Sequence, residues 1–437
     1  MLQLNCGRTR KLSRMTDSTT VIVGAGAVLD FCHKGVFPSV KNITDEVLKL
    51  RVQKVDGSYG YLIKDLNDII VKRLLKIGNP AVRRFYPPHL NFEDLLHVLE
   101  MCLSYSPCWH NEYLHWKAFP LYGALMEPNS ILKDINTVEY ERAAYALEER
   151  VMEIVNQYDS AFKIDKGCEQ WYRHFWHSMK GANIFSLNYD STIEECVESY
   201  EDGFEKVSEG DDYRRFSARR YYENSGRNTT IAHLHGSILF SEPKSFPIEY
   251  SIRDLVKDKD FESALKSRKM SQSAPRTQAK EVYVQPYIIS GARKTEKMVV
   301  APYDVYLSDL TRKVLENKRL MIIGYSFGDV YLNEILGLGM AAHGDEFRVV
   351  IVDKFSPHIY DYPSFYQKLK DLDMFSFISR VSKNRLSIEP GQKEFPLEVK
   401  DYDTPEVSRN GNLMVCMTGF KEAVMKHGEE IMAFLYS

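Results

Sequence analysis

The sequence predicts an α/β protein in which a Rossmann-like parallel sheet is wrapped by helices and carries a large helical insertion. Three observations predict this fold. Short hydrophobic runs such as residues 20–23 alternate with segments of helical periodicity, the runs show no polar alternation, and each ends at a glycine or a polar residue. Continuous hydrophobic runs are typical of parallel strands buried on both faces, and such sheets bind ligands at the carboxyl ends of their strands.

Length, net charge and cysteine content limit the classes of protein to which the chain can belong. The chain has 437 residues, enough for one large elaborated domain or for two. A formal net charge of -3 gives no overall attraction to nucleic acid, and no apolar run is long enough to span a bilayer. The seven cysteines are scattered and never spaced CxxC, which argues against a disulfide framework and a zinc ribbon. We expect a cytoplasmic protein that binds neither membranes nor nucleic acid directly.

The chain divides into a basic amino-terminal tail, residues 1–19, and a Rossmann domain, residues 20–437. Within that domain, helical periodicity predicts an insertion at about residues 41–180. Asn91 precedes one of the predicted helices as its cap.

Three further segments follow the insertion. Residues 192–200 are predicted to form a helix, and polar composition predicts surface loops at about residues 201–230 and 257–280. The first loop interleaves arginines with tyrosines, a pattern that could stack on nucleic acid. Acidic residues beside them favour a solvated loop instead.

The first strand runs into Gly24-Ala25-Gly26, which predicts a strand, a tight turn and a helix. Glycines at such a junction let the backbone approach a phosphate and aim free N–H groups at it. The motif falls short of GxGxxG because position 29 is Leu. On its own it also fits a tight turn that only packs against its neighbours.

Asn188 and Asp190 follow a predicted strand at residues 183–187. An amide and a carboxylate at this position can hydrogen-bond a ribose hydroxyl or hold a water molecule. Asp190 fits equally well as the cap of the segment that follows it.

His233 and His235 alternate on a short predicted strand, so both point to the same side. A metal site could use this pair, but no third ligand is identified. His235 lies at the strand end beside Gly236, where it is placed to act as a general base. His233 is predicted to be a hydrogen-bonded core histidine.

A serine hydrolase is an alternative, because Gly324-Tyr-Ser-Phe-Gly328 matches the GxSxG nucleophile elbow between a strand and a helix. Ser326 would then act with Asp353 and with His358 or His427. A serine hydrolase would give no common function to the polar residues at the other three strand ends, near Gly24, Asn188 and His235. A dinucleotide site would use all of them.

Taken together in chain order, the four junctions resemble the sirtuin superfamily, and they are closer to the sirtuin-like NADases of bacterial antiphage systems than to protein deacylases. The motifs are Gly24-Ala-Gly-Ala27, Ser186-Leu-Asn-Tyr-Asp190, His233-Leu-His-Gly-Ser237 and Gly324-Tyr-Ser326.

The resemblance implies an NAD site, with the Gly24 turn at the pyrophosphate and Asp353 near the adenosine ribose. The residues so implied are Asn188 and His235 for catalysis and, for NAD binding, Gly24, Ala25, Gly26, Asp190, Gly324, Ser326 and Asp353. Val28 departs from the small polar residue often found after the glycine turn. The paired CxxC zinc module of deacylating sirtuins is also missing, since no cysteine lies between Cys196 and Cys416.

The resemblance therefore implies an NAD glycohydrolase that cleaves NAD+ to nicotinamide and ADP-ribose, without zinc. It further implies that the protein is the toxic effector of a bacterial antiphage system. Its activity would be controlled by homo-oligomerisation or by a partner such as a HerA-type hexameric ATPase. A non-catalytic module that senses NAD or ADP-ribose is the third hypothesis.

Overall fold

A computed structural model describes residues 18–31, 39–77, 90–105, 137–165, 167, 169–206, 208, 210–241, 255–273, 287–290, 294–354, 377, 404–408 and 410–437. All but the last two residues of the predicted basic tail lie outside this part of the chain, and so does His358.

The described strands, in chain order, are β1 Thr19–Val23, β2 Val52–Gln53, β3 Tyr59–Gly60, β4 Asn183–Ser186, β5 Phe204–Glu205, β6 Tyr213–Phe216, β7 Thr230–His233, β8 Phe240–Ser241, β9 Val256–Asp258, β10 Arg319–Ile323, β11 Arg348–Val352, β12 Glu406–Val407 and β13 Leu413–Cys416. The described α-helices are α1 Val40–Val47, α2 Leu62–Ile77, α3 Phe92–Tyr105, α4 Thr137–Ile164, α5 Gln170–Ser178, α6 Ala218–Asn224, α7 Phe261–Ser273, α8 Lys294–Lys297, α9 Tyr303–Glu316, α10 Val330–His343 and α11 Phe420–Tyr436.

A seven-stranded sheet in the order β12-β13-β11-β10-β1-β4-β7 forms the centre of the molecule. Its neighbouring strands are parallel except at the β12 edge. Val21 and Val23 face one hydrophobic cluster with α5 and α11, and Ile22 faces another with α9 and α10. Because both faces are covered, the strands are hydrophobic throughout, and the predicted Rossmann-like α/β fold is confirmed.

The order of the strands reverses beside β1. The chain continues from β1 to β4 and β7 on one side, and returns to β10 on the other side. In open α/β sheets, the crevice at such a switch point, outside the carboxyl ends of the strands, is where ligands bind. This crevice lies between the ends of β1 and β10.

The register of the strands aligns the predicted junctions. Val23 pairs with both Ser186 and Ile323, Ser186 pairs with His233, and Ile323 pairs with Val352. The residues that follow these positions therefore lie along one edge of the sheet, about 5 Å apart from strand to strand.

The described part of residues 41–180 is mainly helical, with the short β2–β3 hairpin between α1 and α2. The Asn91 side chain accepts a hydrogen bond of 2.8 Å from the Asp94 N–H, so the predicted cap is confirmed. The hydrophobic cluster of this region continues into Phe240 and Ile288, beside the segment that follows β7.

The predicted surface loop at residues 201–230 is wrong. Strands β5 and β6 belong to a second, four-stranded sheet of order β5-β6-β9-β8, and α6 follows them. Phe204 and Tyr221 are buried, and the Arg214 guanidinium pairs with the buried Asp202 at 3.2 Å. The charged composition was misleading because partners distant in sequence neutralise these charges.

The predicted loop at residues 257–280 is also wrong over the part that the structure describes. Residues 256–258 form β9, and residues 261–273 form α7. Lys257 is only 2% exposed, and Phe261, Ala264 and Arg268 bury one face of α7 at helical spacing.

Two predicted helices at the sheet edge are replaced by turns. Residues 192–196 form consecutive turns, in which Cys196 N–H donates to the Ile193 carbonyl at 2.9 Å. After β1 the described chain forms only a single 3-10 turn, Ala25–Val28. No helix in the described residues is both long and apolar enough to cross a membrane.

Candidate functional site

The glycines at the switch point let two loops touch backbone to backbone. Gly26 N–H donates to the Gly324 carbonyl at 2.9 Å. A Cβ on Gly24 would lie 2.5 Å from that carbonyl oxygen, and a Cβ on Gly324 would lie 2.2 Å from the Ala27 nitrogen. Gly324 also has φ +59°, where L residues are strained. The glycines therefore close the ends of β1 and β10 against each other.

This close contact changes what the first turn can offer a phosphate. The N–H groups of Gly24, Gly26 and Ala27 already donate to main-chain carbonyls. Among the described residues, the Ala25 N–H has no acceptor. The single 3-10 turn also supplies little of the helix dipole that the sequence predicted. The turn therefore presents one free donor rather than a cradle.

Asn188 lies two residues beyond the end of β4, and hydrogen bonds hold both its N–H and its carbonyl. Its N–H donates to Ser186 Oγ at 3.1 Å, and its carbonyl lies 3.1 Å from His233 Nδ1. The side-chain amide has no hydrogen-bond partner among the described residues. The amide is thus held in place by its backbone and left free to bind a ligand.

Asp190 shapes the turn that follows. Its Oδ1 accepts hydrogen bonds from the N–H and the hydroxyl of Thr192, at 3.1 and 2.6 Å, as the capping alternative anticipates. Burial raises the pKa of Asp190 to about 6, and the charge of Asp159 adds to this. Its second oxygen makes no hydrogen bond to the described residues.

His235 is buried two residues beyond the end of β7. Its Nε2 lies 3.4 Å from Asp329 Oδ2, within ion-pair distance but out of line for a hydrogen bond. Burial lowers the pKa of His235, and the positive charge of Lys294 adds to this against the opposing charge of Asp329. The imidazole is therefore neutral at pH 7 and able to accept a proton.

Asp329 was missed as a partner of His235. It is the N-cap of α10, and its Oδ1 accepts from the N–H groups of Tyr331 and Leu332 at 3.1 and 3.3 Å. This leaves Oδ2 directed towards His235. An Asp immediately before a predicted helix indicates a helix cap. Nothing in the neighbouring sequence indicates that this Asp also contacts a residue 94 positions earlier.

Residues 287–290 also hold the His235 loop, and sequence reasoning missed them. Ile289 N–H donates to the His235 carbonyl at 2.6 Å. Gly236 has φ +93°, and a Cβ there would lie 2.1 Å from the Tyr287 carbonyl oxygen. Only glycine permits this approach.

The predicted serine nucleophile does not have the geometry of an elbow. Ser326 is exposed on an irregular stretch between β10 and α10, and helix α10 begins only at Val330. In this stretch the positive φ values belong to Gly324 and Phe327, at 59° and 54°, whereas an elbow places its serine on the sharp turn itself. Of the two predicted histidines, His427 lies on α11 and is 3.5 Å from Glu430.

Asp353 follows β11 on the same edge as the other junctions. Its Oδ1 accepts from the Lys354 N–H at 2.7 Å. The Lys354 ammonium pairs with Asp30 at 2.8 Å, and Asp30 also accepts from the Lys421 N–H at 3.3 Å. The first turn is thereby linked to the start of α11.

His233 is a hydrogen-bonded core histidine, as predicted. Its Nε2 lies 2.7 Å from Glu194 Oε1, which is also 3.3 Å from the Lys257 ammonium. Lys257 pairs with Asp202 at 2.8 Å, and Asp202 pairs with Arg214. We call these five residues the buried charge network. It joins the second sheet to the back of Asn188.

Part of the chain resembles a known family. Residues 182–370 match the model of the family described as SIR2-like domain. The match covers less than half of the chain; it includes β4, β7, β10 and β11 and excludes the Gly24 turn. No curated protein matches the chain. Over residues 182–370 the protein is thus similar to SIR2-like domains, which supports a relationship to the sirtuin superfamily and, broadly, a function related to NAD.

Proposed function

We propose that the protein is an NAD glycohydrolase that cleaves NAD+ to nicotinamide and ADP-ribose. One observation carries the proposal: the amide of Asn188, which has no hydrogen-bond partner among the described residues, and the neutral imidazole of His235 follow neighbouring strands, at the edge that also holds the switch point. Strand ends at a switch point are where α/β sheets bind nucleotides.

The chemistry suits these groups. The bond between the ribose C1′ and the nicotinamide nitrogen breaks through an oxocarbenium-like state, and its electron pair leaves with nicotinamide as a neutral molecule. Little acid assistance is needed, so positioning of the water contributes most. Asn188 orients the water that bonds to C1′, and His235 accepts its proton. Asp329, 3.4 Å away, stabilises the imidazolium that forms.

The remaining predicted residues bind the rest of the dinucleotide in this proposal. The Ala25 N–H, which has no acceptor among the described residues, contacts a pyrophosphate oxygen beside the contact between Gly24 and Gly324. The exposed Ser326 hydroxyl contacts the same phosphates, and Asp353 lies near the adenosine ribose. Asp190 lies near the nicotinamide ribose.

Hydrolysis is favoured over deacylation of a partner protein. The chain between Cys196 and Cys416 contains no cysteine, so the paired CxxC module that helps form the acyl-lysine channel of deacylating sirtuins is missing. Water is then the acceptor that remains.

Asn188→Ala and His235→Ala test the assignment of the catalytic residues. Each should lower nicotinamide release by at least about a hundredfold, because each removes a group that acts on the water. Unchanged circular dichroism and thermal unfolding would show that both variants fold. His174→Ala, which removes an exposed histidine from α5, should retain full activity. Full activity in both site variants would refute the assignment.

We further propose that the enzyme is the NAD-depleting effector of a bacterial antiphage system, gated by homo-oligomerisation or by a HerA-type hexameric ATPase. The sirtuin-like motifs support this, and so does the toxicity of uncontrolled NAD hydrolysis to the cell that makes it. Cellular NAD measured after phage infection, with and without the genomic neighbour, tests the proposal.

A further inference from the structure

Both ring nitrogens of His233 face atoms that only accept hydrogen bonds. Nδ1 lies 3.1 Å from the Asn188 carbonyl oxygen, and Nε2 lies 2.7 Å from Glu194 Oε1. A carbonyl carries no hydrogen, and neither does an ionised carboxylate. Both nitrogens must therefore donate, which requires the doubly protonated imidazolium.

The surroundings of His233 balance this charge. Glu194 comes from the turns after β4, Lys257 from β9 and Asp202 from the residues before β5, so cations and anions alternate. The ring of Phe240, whose centroid is 6.2 Å from that of His233, also packs against the imidazole and carries no charge. All four ionisable side chains are at most 7% exposed.

The pKa directions agree with the geometry. Burial alone would lower the pKa of His233, but the charge and hydrogen bond of Glu194 outweigh it and raise the pKa above its ordinary value. Burial would raise the pKa of Glu194, but His233 and Lys257 lower it. An ionised pair is the result.

The pair acts on the residue that the proposed chemistry needs most. The Asn188 N–H donates to Ser186 Oγ, and the Asn188 carbonyl oxygen lies 3.1 Å from His233 Nδ1 and accepts a longer hydrogen bond of 3.4 Å from Ser186 Oγ. These contacts fix the main chain from which the side-chain amide of Asn188 projects. On the basis of the NAD hydrolysis proposed above, we propose that His233 is a positioning residue: as an imidazolium it fixes the main chain of Asn188, and the second sheet anchors it through Glu194 and Lys257.

The proposal predicts the alkaline limb of the pH profile. Deprotonation of His233 leaves one ring nitrogen without a hydrogen, so one of its two hydrogen bonds is lost. Because the pKa of His233 is raised, kcat should fall only as the pH rises through that raised value. The acid limb of the profile reflects His235. Because the pKa of His235 is lowered, its imidazole stays neutral and can accept a proton until the pH falls below the ordinary pKa of histidine.

The charge state can be measured without any activity. In protein labelled with 15N-histidine, the imidazole resonances of His233, identified by their absence from His233→Gln, should show both nitrogens protonated at pH 7. A ring protonated on one nitrogen only would overturn the proposal, whether or not the protein hydrolyses NAD.

Glu194→Gln supplies the kinetic test, because glutamine keeps an accepting oxygen and removes the charge. The alkaline limb of kcat should move to lower pH by about one pH unit or more, with KM little changed. Glu195→Gln, which alters a half-exposed neighbour 3.9 Å from Lys163, should behave as wild type. An unmoved limb in Glu194→Gln would overturn the proposal. If the wild type releases no nicotinamide, the same shift is measured in the NMR titration of His233.

Discussion

The Asp190 carboxyl shows how stability and the proposed function oppose each other at a single residue. It is buried, and its Oδ1 accepts both of its hydrogen bonds, from Thr192. The pKa of about 6 means that the folded protein binds the proton more tightly than the unfolded chain does. The stabilising contribution is therefore complete below about pH 4 and is lost as the pH rises through about 6. At pH 7 the buried charge destabilises the fold.

Asp190→Asn should consequently stabilise the protein. The asparagine oxygen can still accept from Thr192, and the buried charge is removed. The free energy of unfolding at pH 7 should rise by up to about 3 kcal/mol, and the gain should shrink as the pH falls from 6 to 4. Urea unfolding at several pH values measures this. A less stable variant at pH 7 would contradict it, and reduced nicotinamide release in a more stable variant would mark Asp190 as functional.

At the scale of elements, the contact between the turn after β1 and the loop after β10 determines the shape of the central sheet at the carboxyl ends of these two strands. The two loops approach so closely that glycine is needed on both sides. The sequence pattern suggested glycines that face a phosphate, whereas the structure shows glycines that face each other. A pattern along the chain cannot distinguish the two, because the approaching partner lies about 300 residues away.

Gly324→Ala tests this contact, and Gly411→Ala is its control. Both glycines have positive φ values, +59° and +71°, but of the two only Gly324 has backbone within 4 Å of where a Cβ would lie. The cost that a positive φ imposes on both alanines is about 1–2 kcal/mol. Gly324→Ala should cost several kcal/mol more in urea unfolding and should weaken NAD binding. Equal destabilisation of the two variants would show that the loops can separate freely.

Helix α4 carries a second buried carboxyl, Glu148, next to the ion pair of Glu100 and Lys297, whose atoms are 2.6 Å apart. Burial raises the pKa of Glu148 to about 8, and the charge of Glu100 adds to this. The group is therefore neutral in the folded protein at pH 7. Its contribution to stability is complete below pH 4.5 and is lost as the pH rises through about 8.

Glu148→Gln should remove that dependence. Its stability should exceed that of the wild type by a margin that grows with pH and reaches about 4 kcal/mol at most by pH 8. Glu149→Gln, at a partly exposed position paired with Lys269, should follow the wild-type profile. Parallel stability profiles of Glu148→Gln and the wild type would mean that Glu148 is ionised in the folded protein.

For the whole molecule, the sequence was informative where burial follows a local pattern. The six parallel strands of the central sheet were predictable because both of their faces are covered, whereas the two-residue edge strand β12 was not. The junction residues were predictable because they follow the parallel strands. The second sheet was not predictable, because β5 and β8 have only two residues each and the burial of Lys257 depends on partners 55 and 63 positions away. The Asp329 contact with His235 was missed for the same reason.

These missed segments are the ones that support the candidate site. The buried charge network reaches Asn188 from the second sheet, and residues 287–290 hold the His235 loop. The predicted site residues thus lie on the central sheet, and the residues that position them come from parts of the chain whose composition resembles surface.

The most direct test of the central claim is to incubate the purified protein with NAD+, alone and with its genomic neighbour, and to quantify nicotinamide and ADP-ribose. The account predicts equal amounts of both products under at least one of these conditions, and their loss in His235→Ala. Tight binding of NAD+ without release of nicotinamide under every condition would contradict it and would favour a sensing module. Labelling of Ser326 by a fluorophosphonate, lost in Ser326→Ala, would favour a serine hydrolase instead.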